Sequence, residues 1–259
     1  MKKNFSEEIY QSSVSEHPAL EKVPAEKVMA VIKKALEEIS ELEKIAYRTG
    51  DTVNFNRDEI EKISAIWVFS GPGNYNRPVT HPRYKDYSWT TGMDKDRVDY
   101  GILLAEKMTE LPNKKHTPFP YFIYNGEKEQ NNEVRKVIQK KEKNLPEFKS
   151  LIIDGDIHNT VDQTKIFRLP EDCPATNKEI ALVSHSEHLV RIMHMINRYK
   201  PVPEKMTVRL FPVKTPEKAR KAYALSEIRG LLYYIFLSKN HDATEESYAY
   251  KIHSYPKTK

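Results

Sequence analysis

A single cysteine, Cys173, stands in 259 residues, so no intrachain disulfide can form and a cysteine-built zinc cluster is excluded. That scarcity suits a reducing compartment, and the chain reads as cytoplasmic. Long apolar runs are missing as well. The longest, Leu231 to Leu237, falls far short of the ~20 residues that a membrane-spanning helix requires. The basic start, Met-Lys-Lys-Asn, has no apolar segment behind it and does not read as a secretory signal. No membrane partner is expected. Charge of one sign is also absent: 42 basic residues stand against 37 acidic ones, interspersed, and the net +5 speaks weakly for a polyanionic partner. Dedicated nucleic-acid binding is not expected.

What remains is ample for a globular core, and it is organised as an alternation. Residues 1 to about 22 are polar, rich in Ser and Glu, and read as a loosely packed lead-in. From Pro24 a helix follows, with Val28, Val31, Ile32, Ala35, Ile39, Leu42 and Ala46 as its apolar stripe and Gly50 as a stop. Residues 1–60 thus form an N-terminal helical extension, and 61–259 an α/β domain. Short apolar runs at Ala65 to Phe69, Tyr121 to Tyr124, Leu151 to Ile153, Ile180 to Val183 and Val208 to Phe211 have the length of buried strands. Between them lie amphipathic helical patterns, among them Val98, Ile102, Leu103, Ala105 and Met108, and Leu189, Val190, Met193 and Ile196. Strands alternating with helices predict an α/β fold, a three-layer α/β/α sandwich around a mainly parallel sheet with right-handed crossovers.

Ligands of such sheets bind where strands end and helices begin. The segment Ile180 to Arg191 makes that change in twelve residues, with Ser184, His185 and Ser186 at the junction. His188 and Arg191 are three apart and share a helix face; Ser184 or Ser186 can cap the first turn. Unpaired N–H groups there suit phosphate or carboxylate. The first strand runs into Ser70-Gly71-Pro72-Gly73-Asn74, which fits a phosphate cradle and equally a plain turn. From Asn74 to Thr91, Tyr75, Tyr84, Tyr87 and Trp89 stand among Arg77, His81, Arg83 and Lys85. Such a loop suits a lid over a base and phosphate, and equally a surface excursion or an oligomer contact.

Arg97 lies in the first turn of its helix, where the dipole disfavours a cation; an anionic ligand or a carboxylate partner would remove the conflict. Asn125 and Gly126 end the second strand, and Glu133 in the following first turn is favoured electrostatically without any function. Asp154 and Asp156 could bind a cation, order a water or act as a base, and are also ordinary turn residues. Asn159 or Thr160 can cap the next helix. His185, His188, Asp154 and Asp156 could supply metal ligands, but their spacing is not that of a metal site, and no metal is expected.

The glycine turn, Arg97, Asn125-Gly126 with Glu133, Asn159-Thr160-x-x-Gln163 and Val183-Ser184-x-x-x-His188-x-x-Arg191 together resemble the YdcF/SanA/ElyC family, from roughly Ala65 to Leu237. The resemblance implies a Rossmann-like fold whose loops form one pocket, with Gly71, Arg97, Glu133, Asn159, Thr160, Ser184, His188 and Arg191 as the matching positions. It also implies S-adenosylmethionine as a ligand, since binding is reported for the YdcF branch. The expected function is therefore that of a cytoplasmic protein binding an anionic, nucleotide-like small molecule. Arg97 and Arg191 would pair its charge, and the turns at Gly71, Gly73, Asn74, Asn125, Gly126 and Asp154 would line the pocket with Asn159, Thr160, Ser184 and His185. In a catalytic version His188 is the first acid/base candidate and Glu133 the second, for group transfer or hydrolysis. The alternative is a non-catalytic metabolite sensor or protein-interaction module.

Overall fold

The structure, a computed structural model, describes residues 4–71, 93–110, 120–144, 148–173 and 179–253. The readings made on Gly73, Asn74 and the 74–91 insertion lie outside the described residues.

Six strands form one sheet: β1 (Ile63–Val68), β2 (Tyr121–Tyr124), β3 (Lys149–Ile152), β4 (Glu179–His185), β5 (Thr207–Val213) and β6 (Tyr250–Ile252). Every pairing is parallel, and the order is β3-β2-β1-β4-β5-β6. Strands β1, β2 and β4 are buried along their whole lengths, which is why they read as unbroken apolar runs and not as alternating ones. Alternation survives in which face each residue serves. Ala65, Trp67, Ile180 and Leu182 belong to one core, Ile66, Val68, Ala181 and Val183 to the other. The expected three-layer α/β sandwich is the fold.

On the first face lie α1 (Phe5–Glu16), α2 (Ala25–Ile45), α6 (Thr160–Ile166), α7 (Ser186–Tyr199) and α8 (Glu217–Leu232), which continues into a π-helical turn at Tyr233–Leu237. The second face carries α3 (Arg57–Ile60), α4 (Met93–Thr109) and α5 (Lys128–Asn144). Val28, Val31, Ile32, Ala35, Ile39 and Leu42 of the α2 stripe are all buried, while Ala46 falls just past the helix, which ends at Ile45 and not at Gly50. No helix among the described residues is long and apolar enough to cross a membrane.

Two expectations need correction. The stretch before residue 22 is not loosely packed: Asn4 caps α1, a 3₁₀ turn spans Pro18–Lys22, and Ile9 and Leu20 are both 0% exposed within the core. Its polarity hid it, because one narrow line of small and apolar side chains suffices to seat it. The other is β6, a three-residue edge strand with two exposed members, which no apolar run announces.

Candidate functional site

Strand β1 has β2 on one side and β4 on the other, so the chain leaves it in one direction and later returns on the opposite side. Helices after β1 and after β4 therefore diverge, and a crevice opens between the carboxyl ends of these two strands. A cleft of about 320 Å³ lies there. Ser70 and Gly71 line it from the end of β1, Thr160 and Gln163 from α6, and His188 and Arg191 from α7.

Strand β4 passes into α7 without a loop. His185 takes the N-cap position and makes no capping hydrogen bond through its side chain. Ser184 does not cap either; its hydroxyl meets His188 Nδ1 at 3.1 Å. The other ring nitrogen of His188, Nε2, is 3.0 Å from Thr160 Oγ1. Thr160 is freed for this contact because Asn159 is the cap of α6, accepting from Val161 N at 2.8 Å and Asp162 N at 3.1 Å. Arg191 completes the group. Its Nη2 donates to Thr160 Oγ1 at 3.1 Å, and its Nε lies 2.8 Å from the Glu227 carboxylate. Thus the predicted pair His188 and Arg191 does share a helix face, and both side chains converge on one hydroxyl.

Burial, aided by Arg191, Arg97 and His185, holds the His188 pKa well below the usual imidazole value. The ring is neutral at physiological pH and retains a lone pair. Burial raises the Glu227 carboxyl above its ordinary range, against the pull of Arg191 and Arg97.

Arg97 is placed differently from the expectation. It is 1% exposed and stands behind the cleft wall. Its donors go to His185 Nδ1 at 2.6 Å, Tyr223 Oη at 2.8 Å and Asp94 Oδ1 at 3.1 Å. Of the two partners that could offset the dipole, it has the carboxylate. Asp94 also accepts from Gly71 N at 2.6 Å and from Gln130 Nε2 at 3.0 Å, so this buried group fixes the turn after β1. Glycine is required at 71 by space alone: a Cβ there would lie 2.7 Å from both Arg97 Nη1 and Asp94 Oδ1.

Other predicted residues serve as framework. Asn125 accepts from Trp67 Nε1 at 2.9 Å and donates to the Gln163 carbonyl at 2.7 Å. Gly126 N donates to Asn131 Oδ1 at 2.8 Å. His185 is buried behind the wall with Arg97. Asp154 is exposed and paired with Arg135, whose hydrogen bond keeps its carboxyl below the usual range. Glu133 pairs with Lys136 at 2.7 Å and does not line the cleft. No group of His, Cys, Asp and Glu among the described residues is arranged to hold a metal ion.

Half the cleft comes from residues that the sequence reading passed over. Tyr223, Glu227, Arg229 and Gly230 of α8, Tyr233 and Tyr234 of the π turn, and Glu16 and His17 at the end of α1 all belong to the lining. The two segments are tied together: Arg229 Nη1 is 2.5 Å from Glu16 Oε2, and the His17 and Tyr233 rings lie 5.3 Å apart. Gly230 admits Arg191, since a Cβ at that position would fall 2.8 Å from Arg191 Nη1. The available signal was polar residues on a helix face that ought to be apolar. Comparison of the chain with protein-family models, with curated proteins and with solved structures finds no match.

Proposed function

We propose that the cleft binds a nucleotide-like small molecule bearing an acidic group, with Arg191 meeting that group and the rings of Tyr223, Tyr233 and Tyr234 meeting its flat, apolar part. The observation that carries this reading is the position of the cleft. It opens at the switch point between β1 and β4, where doubly wound parallel sheets take up their ligands.

S-adenosylmethionine, which the resemblance to the YdcF/SanA/ElyC family implies, is the first candidate. Its carboxylate suits Arg191. Its sulfonium and ammonium suit a wall that contains the Glu16 and Glu227 carboxylates. If the ligand is turned over, the neutral imidazole of His188 is the acid/base group at hand.

A thermal-shift series with S-adenosylmethionine, S-adenosylhomocysteine, nucleotides and sugar nucleotides tests the proposal. A ligand at one hundred times its dissociation constant stabilises the native protein by about 2.7 kcal/mol. One of these compounds is expected to raise the transition of the wild type and to lose most of that effect in Arg191→Gln. If none shifts the wild type, the reading fails.

A further inference from the structure

We propose that Thr160 is a nucleophile, activated by His188 and oriented through Ser184, which cleaves a phosphoric ester held in the cleft. The inference rests on the binding reading given above and narrows its ligand to phosphoric esters such as nucleotides and sugar nucleotides, in place of S-adenosylmethionine, while assigning the cleft a reaction.

Four side chains from α6, α7 and β4 form one line. Arg191 Nη2 lies 3.1 Å from Thr160 Oγ1, Thr160 Oγ1 lies 3.0 Å from His188 Nε2, and His188 Nδ1 lies 3.1 Å from Ser184 Oγ. A guanidinium only donates, so Thr160 Oγ1 accepts from Arg191 and has its own proton left to give. With Nε2 accepting that proton, Nδ1 carries the ring hydrogen and donates to Ser184. All donors and acceptors then run in a single direction. This is the arrangement of an activated hydroxyl: nucleophile, base, and a third group that fixes the tautomer of the base.

Neither hydroxyl serves the simplest structural role, that of a helix cap. Asn159 caps α6 and Ser184 caps nothing, so neither hydroxyl is engaged in closing a helix end. Thr160 and His188 both line the cleft, and each is more than nine-tenths buried, which shields the pair from competing water. Arg191 favours a phosphate ester in particular. Its guanidinium lies beside the nucleophile, where the non-bridging oxygens of an attacked phosphorus would be. The charge those oxygens bring would also offset the effect of Arg191 on the basicity of His188.

The reaction needs no electron donor or acceptor. Thr160 Oγ bonds to phosphorus as the bond to the leaving oxygen breaks. The threonine proton passes to His188 Nε2 and from there to the leaving oxygen, releasing an alcohol. Water then attacks the phosphothreonine, giving its proton through His188 to Thr160 Oγ and releasing phosphate. Thr160 and His188 are the catalytic residues, and Ser184 is a positioning residue.

An alkyl fluorophosphonate tests this on the whole protein. Attack by Thr160 would break the P–F bond, release hydrogen fluoride and leave a stable phosphonyl adduct. Intact mass and peptide mapping of the wild type are expected to show one adduct, on Thr160. Thr160→Ser should still be labelled and Thr160→Val should not. His188→Gln should label about 100-fold more slowly or worse. In the wild type the rate should be level from neutral to alkaline pH and fall only on the acid side, and Ser184→Ala should move that acid limb. No adduct on the wild type, or a wild-type adduct that maps elsewhere, for instance to Ser70, overturns the proposal without reliance on any variant folding. A ligand-induced thermal shift without an adduct leaves the binding reading standing and sinks the nucleophile. An adduct on Thr160 without a shift by any nucleotide-like compound does the reverse.

Discussion

Arg97 Nε donates to His185 Nδ1 at 2.6 Å, a cation and an imidazole joined out of reach of solvent. Because arginine has nothing with which to accept, Nδ1 must be bare and the His185 proton must be on Nε2. Burial, reinforced by Arg97, keeps this ring from charging, with a pKa well below the usual value. Arg97 in turn pairs with Asp94 at 3.1 Å, and burial still holds that carboxyl above its ordinary range against the pull of Arg97. Arg97→Met should cost about 3–5 kcal/mol in urea unfolding, the usual consequence of leaving one half of a buried pair. Arg97→Met combined with Asp94→Asn should recover much of that loss. A single variant as stable as the wild type would show that the pair is incidental.

Glu187 supplies a dependence on pH. It is 1% exposed, Thr215 Oγ1 donates to its carboxylate at 2.6 Å, and burial, with Glu43 and Glu227 adding to it, lifts its pKa to about 7. Between pH 4.5, where an ordinary glutamate titrates, and about 7 the folded protein holds a proton that the unfolded chain has released. The stability contributed by that proton is present in full below the window and is lost as pH rises through it, by on the order of 3 kcal/mol. His185 and His188, depressed by burial, act with the opposite sign on the acid side. The difference between wild type and Glu187→Gln isolates the carboxyl: the variant should gain on the wild type between pH 5 and pH 8. Parallel unfolding curves across that range would refute it.

Gly230 separates stability from binding. It lies within α8, where alanine is worth roughly 0.5–1 kcal/mol more than glycine. The added methyl would meet the mobile end of Arg191 and push it from Thr160. We expect Gly230→Ala to unfold within about 1 kcal/mol of the wild type while the ligand-induced thermal shift falls sharply. Retention of the full shift would mean that Arg191 can take another path around the methyl.

The first helix offers a test of its own. Ile9 is fully buried against the common core, and Ile9→Ala should cost about 2–5 kcal/mol, as for other large-to-small changes in cores. Calorimetry showing an unchanged transition would mean that α1 contributes nothing to the cooperative unit.

Much of the sheet was legible because parallel strands buried on both faces must be apolar throughout, as Ile180 to Val183 and Tyr121 to Tyr124 are. The first turn of α7 was legible for a different reason: polar residues at a strand-to-helix change have few structural uses. His188 and Arg191 were found that way, Gly71 from the turn after the first strand, and Thr160 as a possible helix cap and through the family resemblance, and all four line the cleft. The rule misled at Arg97 and Asp154, since an end-of-strand position says nothing of which way a side chain turns. Arg97 turned inward to Asp94, and Asp154 outward to Arg135. Residues such as Glu227 and Tyr234 could not be found by it at all. They lie far along the chain from any strand end, and only tertiary packing brings them to the cleft.

The ion pair between Glu16 and Arg229 joins segments more than two hundred residues apart in a chain that is made from one end. At about 5–20 residues per second, α1 and the apolar stripe of α2 are made roughly 10 to 35 seconds before α8 exists to cover them. Until then the amino-terminal helices lack that cover, and the wall that they share with the π turn cannot be complete before the end of α8 has been made.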